Sequence, residues 1–141
     1  MSIKSKLPVQ NIINTLKQDL PNLFEKDISY DIYSQDIYFR DPVNTFQGKF
    51  NYRIIFWTLR FHGKLFFTNI NFDLHDVYHS AENTIIAKWT VIGTLRVPWN
   101  AQIFFNGDST YKLNSTYLIY EHIDNWDRKP GEILKQFFQR G

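Results

Sequence analysis

Residues 49–76 read KFNYRIIFWTLRFHGKLFFTNINFDLHD, and inside this one stretch the spacing of apolar residues changes from helical to extended. From Lys49 to Phe67 there is no proline and one late glycine, Gly63. Apolar side chains fall on two stripes: Phe50, Ile54, Trp57, Phe61 and Leu65 on one, and Ile55, Leu59 and Phe66 on the other. A helix apolar on more than one side is usually buried on more than one side, so one stripe is expected on a sheet and the other over a cavity floor or a subunit contact. Arg53, Arg60 and Lys64 share the remaining face as a solvated edge. After Thr68 the period becomes two: Ile70, Phe72, Leu74 and then Asp76 alternate with Asn69, Asn71, Asp73 and His75, as in a strand with one buried face.

Upstream of this switch, Pro8 suits the first turn of a helix, and Ile12, Ile13, Leu16, Leu20, Leu23 and Phe24 continue it at helical spacing, with a break near Pro21. Ser29 to Phe39 mixes periods and reads as a helical turn or extended piece leading into a strand; Asp41-Pro42 marks a turn. Downstream, Thr84 to Pro98 predicts a strand with Ala87, Trp89, Val91, Gly93 and Leu95 on one face, Gly93 allowing a bend or bulge. Pro98-Trp99 interrupts the pattern, Ala101 to Phe105 resumes it, and Asn106-Gly107 reads as a turn. Ser109 to Trp126 reads as one last long strand, and Pro130-Gly131 opens a closing helix through Phe138. Helices first and three or four antiparallel strands afterwards predict an α+β fold, a curved antiparallel sheet wrapped around N-terminal helices as a cone. The 141 residues leave room for one domain, 1–141.

Composition narrows the function classes. Sixteen basic against fourteen acidic residues give a net charge of +2, too little for the dense positive field that nucleic acid requires. Cysteine is absent, which removes disulfides, thiolate metal sites and a thiol nucleophile. No apolar run follows the basic residues near Met1, so neither a secretory signal nor membrane insertion is expected, and a cytoplasmic location is, or the plastid stroma in a photosynthetic eukaryote. The excess is in aromatics, 13 Phe, 8 Tyr and 4 Trp, rings that either fill a core or wall a cavity.

The run Tyr33-Ser34-Gln35-Asp36-Ile37-Tyr38-Phe39-Arg40-Asp41-Pro42-Val43, with Gly48 and a long helix behind it, resembles the signature of the nuclear transport factor 2-like (SnoaL-like) superfamily, and the similarity runs to the end of the chain. Trp89, Pro98-Trp99, Gly107, Ser109, His122, Asp124 and Trp126-Asp127 resemble, within it, an uncharacterised family of cyanobacterial and plant-plastid proteins. The resemblance implies the cystatin-like cone. It implies no single function, because this cone carries isomerases, dehydratases, cyclases, epoxide hydrolases and binding modules. In its ketosteroid isomerases an Asp-Pro-Val at the place of Asp41 supplies the general base; their oxyanion-hole Tyr on the first helix has no counterpart here, and their late-strand Asp aligns with Ser109.

The candidate catalytic residues are Asp41, His122 and Asp124. Asp41 is either a base in an apolar cavity or the cap of the turn before Pro42. His122 and Asp124, two apart on a strand, share a face with Trp126, and form either an oriented base or a structural hydrogen-bonded pair. His75 and His79 lie too far apart on a strand for one ion, so no metal is expected, and no cofactor is implied. The expected pocket wall is Trp57, Phe61, Trp89, Tyr117 and Trp126, with Trp57 facing Trp89 across the cone. Three readings follow: binding of a small, largely apolar molecule, a pigment, tetrapyrrole or isoprenoid given the plastid-type resemblance; an isomerase, lyase or hydrolase without cofactor, with Asp41 or His122 as base; or a scaffold with a filled cone, its open sheet face a candidate homodimer interface.

Overall fold

A computed structural model of the chain describes residues 3–140. Helix α1 (Ile3–Asp19) buries Val9, Ile12, Ile13 and Leu16. It begins before the expected first turn, so Pro8 lies inside it. The residues ahead of Leu7 are largely polar and give no apolar spacing from which that extra turn could be read. A 3₁₀ turn, Leu20–Asn22, ends the helix at Pro21. Strands β1 (Tyr33–Arg40) and β2 (Thr45–Gln47) flank the Asp41 turn, and helix α2 (Lys49–Phe66) follows. The rest is β3 (Phe67–Ala81), β4 (Thr84–Leu95), β5 (Gln102–Leu113), β6 (Ile119–Trp126) and helix α3 (Pro130–Gln136).

The fold is α+β, with a six-stranded sheet in the order β2-β1-β6-β5-β4-β3. The sheet is mixed where an antiparallel one was expected: β1 runs parallel to β6, pairing Phe39 with His122, and the other neighbours are antiparallel. Irregularities in the β3–β4 register, between Phe67 and Asn69, Leu74 and Asp76, and His79 and Ala81, place bulges along β3, where Gly93 of β4 was the expected site. Bulges of this kind bend a strand and let the sheet curl over the helices.

Two turns differ from the sequence reading. Asn106-Gly107 lies in the middle of β5, and the turn is Asn114–Leu118, which splits the expected single strand 109–126 into β5 and β6. The Asn114 side-chain oxygen accepts hydrogen bonds from the backbone of Thr116 and Leu118 at 3.0 Å each, and Tyr117 takes the left-handed conformation at φ 61°. Gly107 serves a different need. A Cβ there would stand 2.3 Å from the Trp89 ring, so glycine lets the indole lie across β5.

Candidate functional site

The concave face of the sheet, the 3₁₀ turn with the two residues after it and one side of α2 line a cavity of about 420 Å³, so the cone is not filled. Its walls are mostly apolar, with Leu23 and Phe24 at one end, Phe56 and Ile55 from α2, and Phe72 and Val91 from the sheet. Volume and lining both suit a small organic ligand.

Strand register builds the polar floor. Opposite one another on β5 and β6 stand Tyr111 and His122, then Ser109 and Asp124, then Gly107 and Trp126. All except Gly107 line the cavity. Trp89 on β4 pairs with Gly107, and its indole N–H reaches diagonally to donate to Ser109 Oγ at 2.9 Å. Ser109 in turn donates to Asp124 Oδ1 at 2.5 Å. His122 Nε2 meets the same oxygen at 2.6 Å, and its Nδ1 meets the Tyr52 hydroxyl of α2 at 2.8 Å. The result is one continuous chain, Trp89–Ser109–Asp124–His122–Tyr52.

The direction of each bond follows from its chemistry. An indole N–H only donates, and an ionised carboxylate only accepts, so the serine hydroxyl points at Asp124. Burial pushes the Tyr52 phenol well above its ordinary pKa, which keeps it neutral and able to donate to His122 Nδ1. With Tyr52 donating to Nδ1, the proton on Nε2 is given to Asp124, and both ring nitrogens are satisfied. Asp124 Oδ1 thus holds two donors, and among the described residues Oδ2 receives none. His122 is 3% exposed at its side chain and Asp124 17%, so the carboxylate is the more accessible member of the pair.

Tyr111 stands apart from this chain. Its ring packs on His122 at 4.4 Å between centroids, and it is fully buried; the Ser109 hydroxyl lies near its own, but among the described residues no hydrogen bond of good geometry reaches it. Burial raises its pKa well above the ordinary value as well, so it is a neutral, unused donor at the cavity wall.

Several expected site residues lie elsewhere or do something else. Trp57 and Phe61 are outside the cavity: they are 57% and 47% exposed and stack on each other at 5.2 Å on the outer face of α2, so Trp57 does not face Trp89. The helix is turned so that Tyr52, Phe56 and Gly63 face inward, because the Tyr52 hydroxyl reaches His122 and Gly63 lets Phe24 and Ile70 close in on the backbone. Trp57, five residues after Tyr52, then points about 140° away from it. Tyr117 is a half-buried turn residue outside the cavity. Asp41 lines the mouth, but its Oδ1 accepts from the backbone N–H of Val43 at 2.8 Å and Asn44 at 2.6 Å, the geometry of a self-capped turn. Asp41 Oδ1 is committed to that turn, with the Asn44 side-chain amide nitrogen 3.4 Å from its Oδ2, and both nitrogens of His122 are bonded. Trp89, Trp126, His122 and Asp124 line the cavity. Tyr52 and Tyr111 were not among the expected site residues. His75 and His79 bond separately, to Thr90 at 2.6 Å and to the Glu82 carbonyl at 2.9 Å.

A family model described as "Uncharacterized conserved protein (DUF2358)" matches residues 10–122. Comparison with curated proteins gives no match. Among solved structures, an NTF2-like protein from Anabaena variabilis is 15% identical over 92% of this chain and 96% of its own, with a TM-score of 0.67. An NTF2-like protein of unknown function from Cytophaga hutchinsonii is 10% identical over 86% of this chain and 98% of its own, with a TM-score of 0.64. SalBIII, an epoxide hydrolase/cyclase-like enzyme with a role in pyran ring formation in the polyether salinomycin, is 13% identical over 87% of this chain and 90% of its own, with a TM-score of 0.58. At these identities the likeness establishes a shared NTF2-like fold.

Proposed function

The chain belongs to the uncharacterised conserved family DUF2358, and from that starting point we propose that it binds a small, largely apolar carbonyl compound in the cone and moves a proton on it with its own side chains. The observation that carries this reading is the Tyr111 hydroxyl, buried without a well-formed hydrogen bond among the described residues, on a residue of the same cavity wall as Asp124. A ligand oxygen that accepts from Tyr111 satisfies a donor that otherwise costs about 1–3 kcal/mol to bury. Charge that develops on that oxygen as a neighbouring C–H is deprotonated is then met by a fixed donor in a largely apolar site.

Asp124 is the base in this scheme. Its Oδ1 is held by Ser109 and His122, and its free Oδ2 takes the proton from carbon and returns it to another carbon, which is an isomerisation, or to a leaving oxygen, which is a dehydration. His122 and Tyr52 are positioning residues that fix the carboxylate through Nε2. SalBIII, named as epoxide hydrolase/cyclase-like, shares this fold, and the apolar lining supports the ligand class.

The test is carbon-bound hydrogen exchange in D2O, followed by NMR across a panel of cyclic ketones. Binding is read in parallel from the fluorescence of Trp89 and Trp126. The expected result is quenching on binding, faster exchange at carbons beside the carbonyl, and a loss of about 10²-fold or more in Asp124→Asn. Ketones that bind without exchange, or exchange that survives Asp124→Asn, would reduce the function to binding alone.

A further inference from the structure

The outer face of α2 is a second feature that the cavity does not explain. Phe50, Ile54, Trp57, Phe61 and Leu65 are 76%, 45%, 57%, 47% and 52% exposed and form a single ridge along the helix. The ridge runs about 22 Å at the rise of an α-helix. Five large apolar side chains in contact with water on one element form a patch of the size that marks an interaction site. We propose that this ridge docks on the surface of a bilayer carrying anionic headgroups.

Charge selects the occupant. Helix α2 carries Lys49, Arg53, Arg60 and Lys64 and no acidic residue. At 100° per residue all four cations fall along one flank of the ridge, between it and the buried face. Arg60 is committed to Asp27 at 2.9 Å, and Arg53 lies over the Tyr30 ring at 4.6 Å, which leaves Lys49 and Lys64 without ion-pair partners among the described residues. A second copy docked ridge to ridge with the helices antiparallel would bring cations against cations with no acid on α2 to answer them. Its buried area also falls short: five partly exposed side chains meeting along one ridge reach at best the lower edge of the roughly 1,200–2,000 Å² of a stable pair. A convex ridge requires a matching groove in a protein partner, whereas a lipid interface accepts any apolar ridge to a depth of about 5–10 Å. Trp and Phe beside Lys and Arg is the composition of helices that lie in that interface.

The placement also bears on the ligand. Ile54 belongs both to the ridge and to the cavity lining, as the exposed Phe46 belongs both to the surface and to the lining, so the mouth opens beside the docked edge. Resting on the reading of the cavity given above, this assigns the ligand to molecules dissolved in the bilayer.

The experiment uses the whole chain and no cavity ligand, so it stands or falls apart from the proton chemistry. Wild-type protein is sedimented with vesicles of phosphatidylcholine alone and of phosphatidylcholine mixed with phosphatidylglycerol. The expected result is binding to the mixed vesicles that weakens with salt, falls about fivefold for each of Lys49→Gln and Lys64→Gln, and disappears in the Trp57→Glu/Phe61→Glu double variant. Circular dichroism should show both lysine variants and the double variant folded, since none of these side chains lines the cavity. Absence of wild-type binding, or equal binding by the double variant, overturns the proposal. So does light scattering that shows a dimer in the wild type and a monomer in the double variant, because the occupant would then be a second copy.

Discussion

Removing one oxygen atom from Tyr111 and one from Tyr52 should move stability in opposite directions, although both rings are fully buried and the chemical change is the same. Among the described residues the Tyr111 hydroxyl has no well-formed partner, so Tyr111→Phe deletes a buried donor whose desolvation costs about 1–3 kcal/mol and leaves the ring in place. A gain of about 1 kcal/mol is expected, near 3 °C in Tm for a chain of this length. The Tyr52 hydroxyl meets His122 Nδ1 at 2.8 Å. Tyr52→Phe loses that bond, worth about 1 kcal/mol, and strands a buried ring nitrogen at a further 1–3 kcal/mol, for a total loss of about 2–4 kcal/mol. Urea denaturation of the two variants beside the wild type reads both signs in one experiment. The gain in Tyr111→Phe should come with weaker ketone binding, because the donor lost is the one assigned to the ligand. A Tyr111→Phe variant destabilised by about 1 kcal/mol or more would mean that the hydroxyl is already bonded within the protein, and the carbonyl site would lose its donor.

Three further outcomes follow from the same geometry. Gly107→Ala places a methyl group 2.3 Å from the buried Trp89 ring and 2.6 Å from the Asn125 carbonyl, so it should cost about 2–4 kcal/mol in denaturant unfolding, counting overpacking and the strained Trp89–Ser109 bond; a cost below about 0.5 kcal/mol would refute the fixed position of the indole. Asp41→Asn keeps an oxygen to accept from Val43 and Asn44 and should cost no more than about 1 kcal/mol, whereas Asp41→Ala should cost about 1–2 kcal/mol; equal costs in thermal melts would mean that the turn bonds contribute nothing. Burial raises the pKa of Tyr33, Tyr52 and Tyr111 above that of the unfolded chain, so their contribution is complete below about pH 10 and is lost as pH rises beyond it, by up to about 1.4 kcal/mol per pH unit for each phenol. Tyrosinate absorbance should show these three ionising only as the near-ultraviolet dichroism collapses; titration of all eight tyrosines in a folded protein would contradict it.

The fold class was legible because its elements announce themselves through periodicity, and the change of period after Thr68 coincides with the α2–β3 junction. The site was legible only in part, for two physical reasons. Apolar residues at Leu113, Tyr117 and Ile119 keep an even spacing broken only by Ser115, which hid a turn held by the Asn114 side chain. Without that turn, the chain carries no sign that Tyr111 stands opposite His122 and Ser109 opposite Asp124. The rotation of α2 was hidden because a count of hydrophobic residues gives most weight to Trp57 and Phe61, while the helix is oriented by a phenol and a glycine. Tyr52 and Gly63 do more to set its inward face than any of the five apolar residues of the ridge.

Those two failures have a common form. Large apolar side chains sit in water along α2, and a chain of polar groups from Tyr52 to Ser109 sits in the core, each the reverse of what burial alone would favour. A fold tolerates such reversals where something outside the folding energy maintains them, so departures from local pattern concentrate at functional surfaces. The exposed ridge and the buried chain both reach one cavity, through Ile54 for the first and Asp124 for the second, both of which line it. A substitution that lightens the first without touching the second, Trp57→Glu, should therefore leave ketone exchange in solution unchanged, while Asp124→Asn should leave vesicle binding unchanged. If either substitution abolishes both readouts, the ridge and the cavity are one site, and the separation of docking from chemistry fails.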